Sequence, residues 1–210
     1  MFFFYRPTDL QIGDNLRALR DTPLSYQERG CTRAEAVKGF TVDHHRALLG
    51  YGASSFERAK GALSSWKMFP PSMATLYWPD APIEAGTVVS VLFRAGPIWS
   101  LNSCRIIYCL DEHGATERFG FAYGTLKDHL ECGEERFSVE WNHQDNSVWY
   151  DLRACSRPQH WLAYLGYPII RFEQARFRRL SGQSMHWASG ADGPTCIPEE
   201  SLDQDRIQRP

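Results

Sequence analysis

The chain has 210 residues, 43% of them apolar and 23% charged, with a formal net charge of −2 and a pI near 6.4. That length suffices for one domain with a substantial core, and the balanced charge gives no electrostatic case for a nucleic-acid partner. No apolar run approaches the roughly 20 residues of a membrane span, and "MFFFY" is cut off by Arg6 and Asp9, too soon for a signal-peptide core.

In chain order, Thr8 and Gln11 form a capping-box pattern ahead of a short amphipathic helix through Leu16 and Leu19. "TPLSYQERGCT" reads as a loop and "FTVDHHRALLGYG" as a strand ended by glycines. Ser54 and Glu57 have the spacing to cap the next helix, whose Phe56, Ala59, Leu63 and Trp66 form one apolar face. "ATLYW", "TVVSVLFRA", "SCRIIYCLDEHG", "ERFGFAYGTL", "ERFSVEWN" and "SVWYDLRAC" follow as antiparallel strands, rich in β-branched and aromatic residues and bounded by turn formers. The spacing then predicts a helix over 157–180, with Pro158 in its first turn and a bend at Pro168. Trp161, Leu165, Ile169 and Phe172 would face the sheet, leaving "RFEQARFRRL" as a solvated basic face.

Residues 1–188 are thus expected to form one domain with an N-terminal helical extension over about 1–30, and 189–210 a flexible tail. The fold class is α+β: a curved antiparallel sheet of about six to seven strands gripping a long, kinked C-terminal helix. This order matches the helix-grip architecture of the START and birch-pollen-allergen (SRPBCC) proteins, a fold analogy that does not fix function.

Cys31, Cys104, Cys109, Cys132, Cys155 and Cys196 show no C-x-x-C and no metal-ligand spacing, so they are expected as free thiols in a cytoplasmic protein. No dinucleotide fingerprint, phosphate-binding loop or G-x-S-x-G elbow occurs, so the reading calls for no cofactor and no metal.

"LLGYGASSFERAKGALSSWKMF", "FGFAYGTLKDHLECGEERFSVEW" and "SRPQHWLAYLGYPIIRFEQ" carry a further resemblance. They are similar to the "LGxGxxxFxxA", "FGYGTLxxHxxxGEExF" and "SxPxxxLxxLGxP" segments of a bacterial and plant family known only as a domain of unknown function. The resemblance runs from about residue 22 to residue 180 and implies the helix-grip fold, but it brings no activity and no functional residue with it. "TVDHHRA" and the aromatic N-terminus depart from the family pattern and could retune a pocket.

The candidate chemistry centres on residues 120–141. In "RFGFAYGTL", Phe119, Phe121, Tyr123 and Thr125 share one face of a strand, with Gly120, Ala122 and Gly124 on the other. Either the small face admits a close neighbour such as the C-terminal helix, or the large face lines a cavity. His129, Glu131, Glu134 and Glu135 follow directly, as an acid–base set at a cavity rim or as a structural clasp. They are expected to split, one of Glu134 and Glu135 pointing inward. His44 is the other acid–base candidate, since the adjacent His44 and His45 point to opposite faces of a strand and so make a poor metal pair. With Tyr123 added, these are the candidate catalytic residues. Phe121, Thr125, Trp99, Arg105, Tyr150, Trp161 and Leu165 are the candidate ligand-binding residues. The expected ligand is a lipophilic small molecule, either rearranged by a cofactor-free cyclase, dehydratase or isomerase, or carried unchanged. A third option is an interaction module whose cavity is filled core.

Overall fold

The computed structural model describes residues 1–127, 129, 131–159 and 167–190. Strand β1 is Phe2–Phe3, followed by helix α1 (Asp9–Leu19), a one-turn helix at Cys31–Arg33, strand β2 (Thr41–Tyr51) and helix α2 (Gly52–Ser64). Strands β3 (Ala74–Tyr77), β4 (Val88–Ala95), β5 (Ile98–Glu112), β6 (Thr116–Thr125), β7 (Glu131–Asn142) and β8 (Ser147–Pro158) precede the C-terminal helix α3 (Tyr167–Ala188). All pairings are antiparallel, and the sheet has eight strands in the order β2-β8-β7-β6-β5-β4-β3, with β1 on β5. Helix α2 carries the chain from one edge of the sheet to the other, and α2 and α3 cover the same face. The arrangement is a helix-grip fold. None of its described helices is long and apolar enough to cross a membrane.

Local sequence explains most of these elements. Thr8 Oγ1 accepts from the Gln11 amide and Gln11 Oε1 accepts from the Thr8 amide, closing the capping box that starts α1. The Ser54–Glu57 box does not form: α2 begins three residues earlier than that cap implies, after Tyr51, and the Ser54 hydroxyl instead accepts from Arg58 at 2.6 Å. At the other end of α2 the Trp66 and Lys67 amides reach back to the carbonyls of Leu63 and Ala62, with Trp66 at φ 56° in the place where such caps favour glycine. Its indole is what keeps it there. It donates to the Ala81 carbonyl at 2.9 Å and packs edge-on against Phe121, with the ring centres 4.9 Å apart.

The inner face of the sheet, under the two helices, carries Leu49, Phe121, Tyr123, Phe137, Val139, Val148, Tyr150 and Leu152. They close against Phe56, Ala59, Leu63 and Trp66 of α2 and its cap, and against Phe177 and Met185 of α3. Burying each large side chain contributes about 1.5–3 kcal/mol. The small-residue face of β6 is the outer one, and the segment around Leu24–Tyr26, rather than the C-terminal helix, takes the space it offers. A Cβ on Gly124 would come within 2.3 Å of the Tyr26 hydroxyl.

The C-terminal helix corrects the sequence reading. Arg157 and Pro158 end β8 instead of opening a helix, and Pro168 stands at the beginning of the described helix. Trp161 and Leu165 lie outside the described residues, as do Cys196 and the expected tail from residue 191 on. Ile169 and Phe172 are 69 and 67% exposed, not turned to the sheet. The sheet-facing residues are Phe177, Ser181 and Met185, together with Arg171, Gln174 and Arg178. The helical period was legible but its phase was not, because the sheet beneath the first turns presents carboxylates, not apolar side chains.

Candidate functional site

Alternation along β7 divides the titratable cluster between two faces of the sheet. Glu134 points outward and is 2% exposed. Its Oε2 accepts from Tyr26 (3.0 Å) and from the Gly30 amide, and its Oε1 accepts from the Thr32 hydroxyl (2.8 Å) and amide (3.3 Å). This carboxylate clasps the 26–32 segment to the sheet. Burial, and then the Glu134 charge, push the Tyr26 phenol far above its ordinary range.

Glu131 and Glu135 point inward, beneath α3. The Tyr123 hydroxyl, on the neighbouring strand, donates to Glu135 Oε2 at 2.7 Å. The Gln174 amide donates to Glu131 Oε2. On β2, Asp43 receives both guanidinium nitrogens of Arg171, at 2.5 and 2.6 Å, and one of Arg178 at 3.1 Å. Burial pushes the carboxyls of Glu131 and Glu135 up to about 7. The Gln174 bond and Arg171 pull Glu131 back, the Tyr123 bond and Arg178 pull Glu135 back, and Asp43 pushes both up. Two carboxyls poised near neutrality, a phenol and two arginines therefore converge where the polar first half of α3 meets the sheet. Such a set can accept a proton, donate one and stabilise a developing oxyanion.

The remaining expected residues are dispersed. His129 is partly buried, its Nδ1 accepting from the Glu131 amide at 3.1 Å, and burial beside the N-terminal amino group pulls it down to about 4. His44 faces outward and bonds Asp151, on the opposite side of the sheet from the inner carboxyls. Phe121 and Tyr150 are fully buried in the core, the Tyr150 hydroxyl against Ser181 at 2.7 Å. Thr125 is occupied within the β6–β7 connection, bonding the Gly133 amide and Ser25. Trp99 packs near α1 with Leu92 and Leu101, with the Arg94 guanidinium 5.3 Å from its ring centre. Arg105 donates to the Arg20 carbonyl just past the end of α1.

Sequence reasoning missed Asp43, His45, Arg171, Gln174 and Arg178. His45 shares the inner face with Asp43, and its buried Nε2 has no hydrogen-bond partner among the described residues. Burial, then Arg178, lowers its pKa. The signal was present: residues 171, 174 and 178 recur at helical spacing, but charge alone read as a solvated surface.

Below this polar layer the space between sheet and helices is filled by rings. Phe121 and Phe137 lie 5.6 Å apart, Tyr123 and Phe137 5.3 Å, and Phe93 and Phe177 5.5 Å. Two clefts, of about 460 and 200 Å³, lie elsewhere. The larger is lined by Ser64, Ser65, Asp80 and Phe119 at the end of α2, and the smaller by Leu24, Arg29 and Arg105. All five described cysteines are free, and among the described residues no three His, Cys, Asp or Glu side chains are grouped to hold a metal ion.

Residues 25–184 match the family described as Domain of unknown function (DUF1990). A UPF0548 protein of Dictyostelium discoideum is 34% identical over 84% of this chain and 90% of its own length. One from Deinococcus radiodurans is 31% identical over 90% of this chain and all of its own length. The chain belongs to this DUF1990 family. Among solved structures, the Zhui aromatase/cyclase from Streptomyces sp. R1128 superposes with a TM-score of 0.52 at 8% identity, over 72% of this chain and 94% of that one. A hypothetical protein from Helicobacter pylori gives 0.50 at 10% identity, over 80 and 98%. At such identities the likeness concerns the fold.

Proposed function

We propose that this DUF1990 protein binds a lipophilic, enolisable small molecule and rearranges it by acid–base catalysis without a cofactor, as a cyclase, dehydratase or isomerase does. The observation that carries the reading is the Tyr123–Glu135 hydrogen bond on the inner face, with a carboxyl held near neutrality beside Glu131 and Arg178. Glu135 takes a proton from the carbon next to a carbonyl. The C–H electron pair becomes the enolate, whose oxygen faces Arg178. The enolate carbon then attacks a second carbonyl, and the alkoxide formed takes a proton from Glu131 or Tyr123. The ionised Glu131 then takes the second proton from that carbon, and the hydroxyl leaves as water with the proton held on Glu135, which completes a dehydration and restores both carboxyls. Where the enolate makes no attack, return of the Glu135 proton to a different carbon of a conjugated enolate completes an isomerisation. A base whose pKa lies near the working pH makes such transfers efficient, by about 10²–10⁴-fold. Phe121, Phe137 and Phe177, which pack the core beside this pair, give it an apolar surrounding. A solved protein of the same fold is described as an aromatase/cyclase, which is compatible with this chemistry but does not argue for it.

The test has two parts. Organic extracts of the denatured protein, read by mass spectrometry, should contain a lipophilic carbonyl compound. The protein should also accelerate exchange of the α-protons of a lipophilic benzo-fused ketone such as 2-tetralone in heavy water, followed by NMR. Glu135→Gln should remove that acceleration by about 10²-fold or more. A bound compound without any accelerated exchange would instead mark a carrier.

A further inference from the structure

The outer face of the sheet, remote from the inner carboxyls, carries an arrangement that the acid–base reading does not use. His44, Arg153 and Arg136 stand in direct register across β2, β8 and β7, so three cation-forming side chains form one row. Like charges directly opposite each other repel. In the adjoining row Asp151 lies opposite Arg46. Asp151, 4% exposed, receives His44 at 2.5 Å, Arg136 at 2.8 Å and Arg46 at 3.4 Å. The nearby Glu140 is shared between Arg46 and Arg118. Arg153 makes no ion pair among the described residues, and its guanidinium donates to the carbonyls of Ala34 and Glu35. The Nε atoms of Arg136 and Arg153 are both buried without an acceptor among the described residues. Among the described residues one buried carboxylate thus meets three cation-forming side chains while Arg153 has none, and two guanidinium donors lack an acceptor.

We propose that this row is an anion site that takes a phosphoryl group, with Arg136 and Arg153 as its forks and His44 and Arg46 at its open edge. Guanidinium forks match oxyanions with several acceptor oxygens, and neighbouring cations favour a group carrying more than one negative charge over a halide. His44 and Arg46 keep the site open to solvent, with side chains 46 and 41% exposed. The phosphoryl group could belong to a soluble ester or to a lipid headgroup, and the chemistry of recognition is the same.

The experiment is a titration of the intact protein with sodium phosphate, against sodium chloride at matched ionic strength, followed through the arginine Nε–H resonances. Those of Arg136 and Arg153 should shift saturably with phosphate and not with chloride. Arg136→Met and Arg153→Met should each weaken phosphate binding by about tenfold or more. Arg118→Gln, on the same face but outside the row, should not. Because Arg153 also holds the 34–35 backbone, Arg136→Met decides the matter if Arg153→Met does not fold. Sedimentation with phosphatidylglycerol vesicles then separates the sources: protein carried down identifies a headgroup, and phosphate binding without sedimentation identifies a soluble ester. Equal shifts from chloride and phosphate, or affinity unchanged in the variants, would overturn the proposal.

Discussion

The Tyr123 hydroxyl donates to Glu135 across 2.7 Å, from a residue in direct register on the next strand. A donor to a carboxylate stabilises its charged form, so this bond restrains a carboxyl that burial has pushed up to about 7. Tyr123→Phe should therefore raise the pKa of Glu135 further. Carboxyl ¹³C titration by NMR checks this, and a titration that stays in place or moves lower would remove the pair from the mechanism.

Stability should fall as the pH rises above neutrality. Glu131 and Glu135 keep their protons to about 7 in the folded chain against an ordinary 4.5. The stability this brings is full below 4.5 and is lost as the pH climbs through 7. His129 acts oppositely: lowered from 6.5 to about 4, it costs stability as the pH falls through that interval. His45 shifts in the same direction as His129. Below 6.5 the slopes oppose one another, and above it the histidine contribution fades while the carboxyls go on titrating. The urea midpoint should drop between pH 6.5 and about 8, and the Glu131→Gln, Glu135→Gln double variant should flatten that drop. A level wild-type midpoint would contradict the assignment.

Glu134 should matter to stability alone. Glu134→Ala strips acceptors from Tyr26, Gly30 and Thr32 at once, and a buried donor left unpaired costs about 1–3 kcal/mol. The expected result is a loss of several kcal/mol in urea denaturation, with faster amide exchange over residues 25–34. A well-folded variant that had lost ketone exchange would place Glu134 in the chemistry after all.

The strands and α2 were legible because β-branched and aromatic runs between turn residues leave one reading, and because Phe56, Ala59 and Leu63 mark a single face. The inward turn of Glu135 and the outward turn of Glu134 followed from alternation, but which face was inner did not. That depended on Tyr26 and Leu24 occupying the small-residue side of β6, a contact about a hundred residues apart in sequence. Arg171, Gln174 and Arg178 were misread for a related reason. A polar stripe on a helix looks solvated until Asp43 and Glu131 are seen beneath it, and those partners come from strands β2 and β7.

One substitution made in two helices should have opposite signs. Replacing glycine by alanine inside a helix gains about 1 kcal/mol from the restricted unfolded chain. At Gly61 of α2 nothing lies within 4 Å of the new Cβ, so that gain should appear intact as a raised urea midpoint. Gly182 is different, because here α3 lies directly on β2. A Cβ would sit 2.9 Å from His45 Nε2 and 3.1 Å from the Ala47 Cβ. The ring can turn aside, but the Ala47 Cβ moves only with its strand, and β2 is held along its length by β8. Crowding of this kind costs about 1–3 kcal/mol, which exceeds the helical gain. Gly182→Ala should thus lower the midpoint while Gly61→Ala raises it. If both variants move the same way, the close approach of α3 to the sheet at Gly182 is not what sets the position of Arg171, Gln174 and Arg178 over the carboxyls.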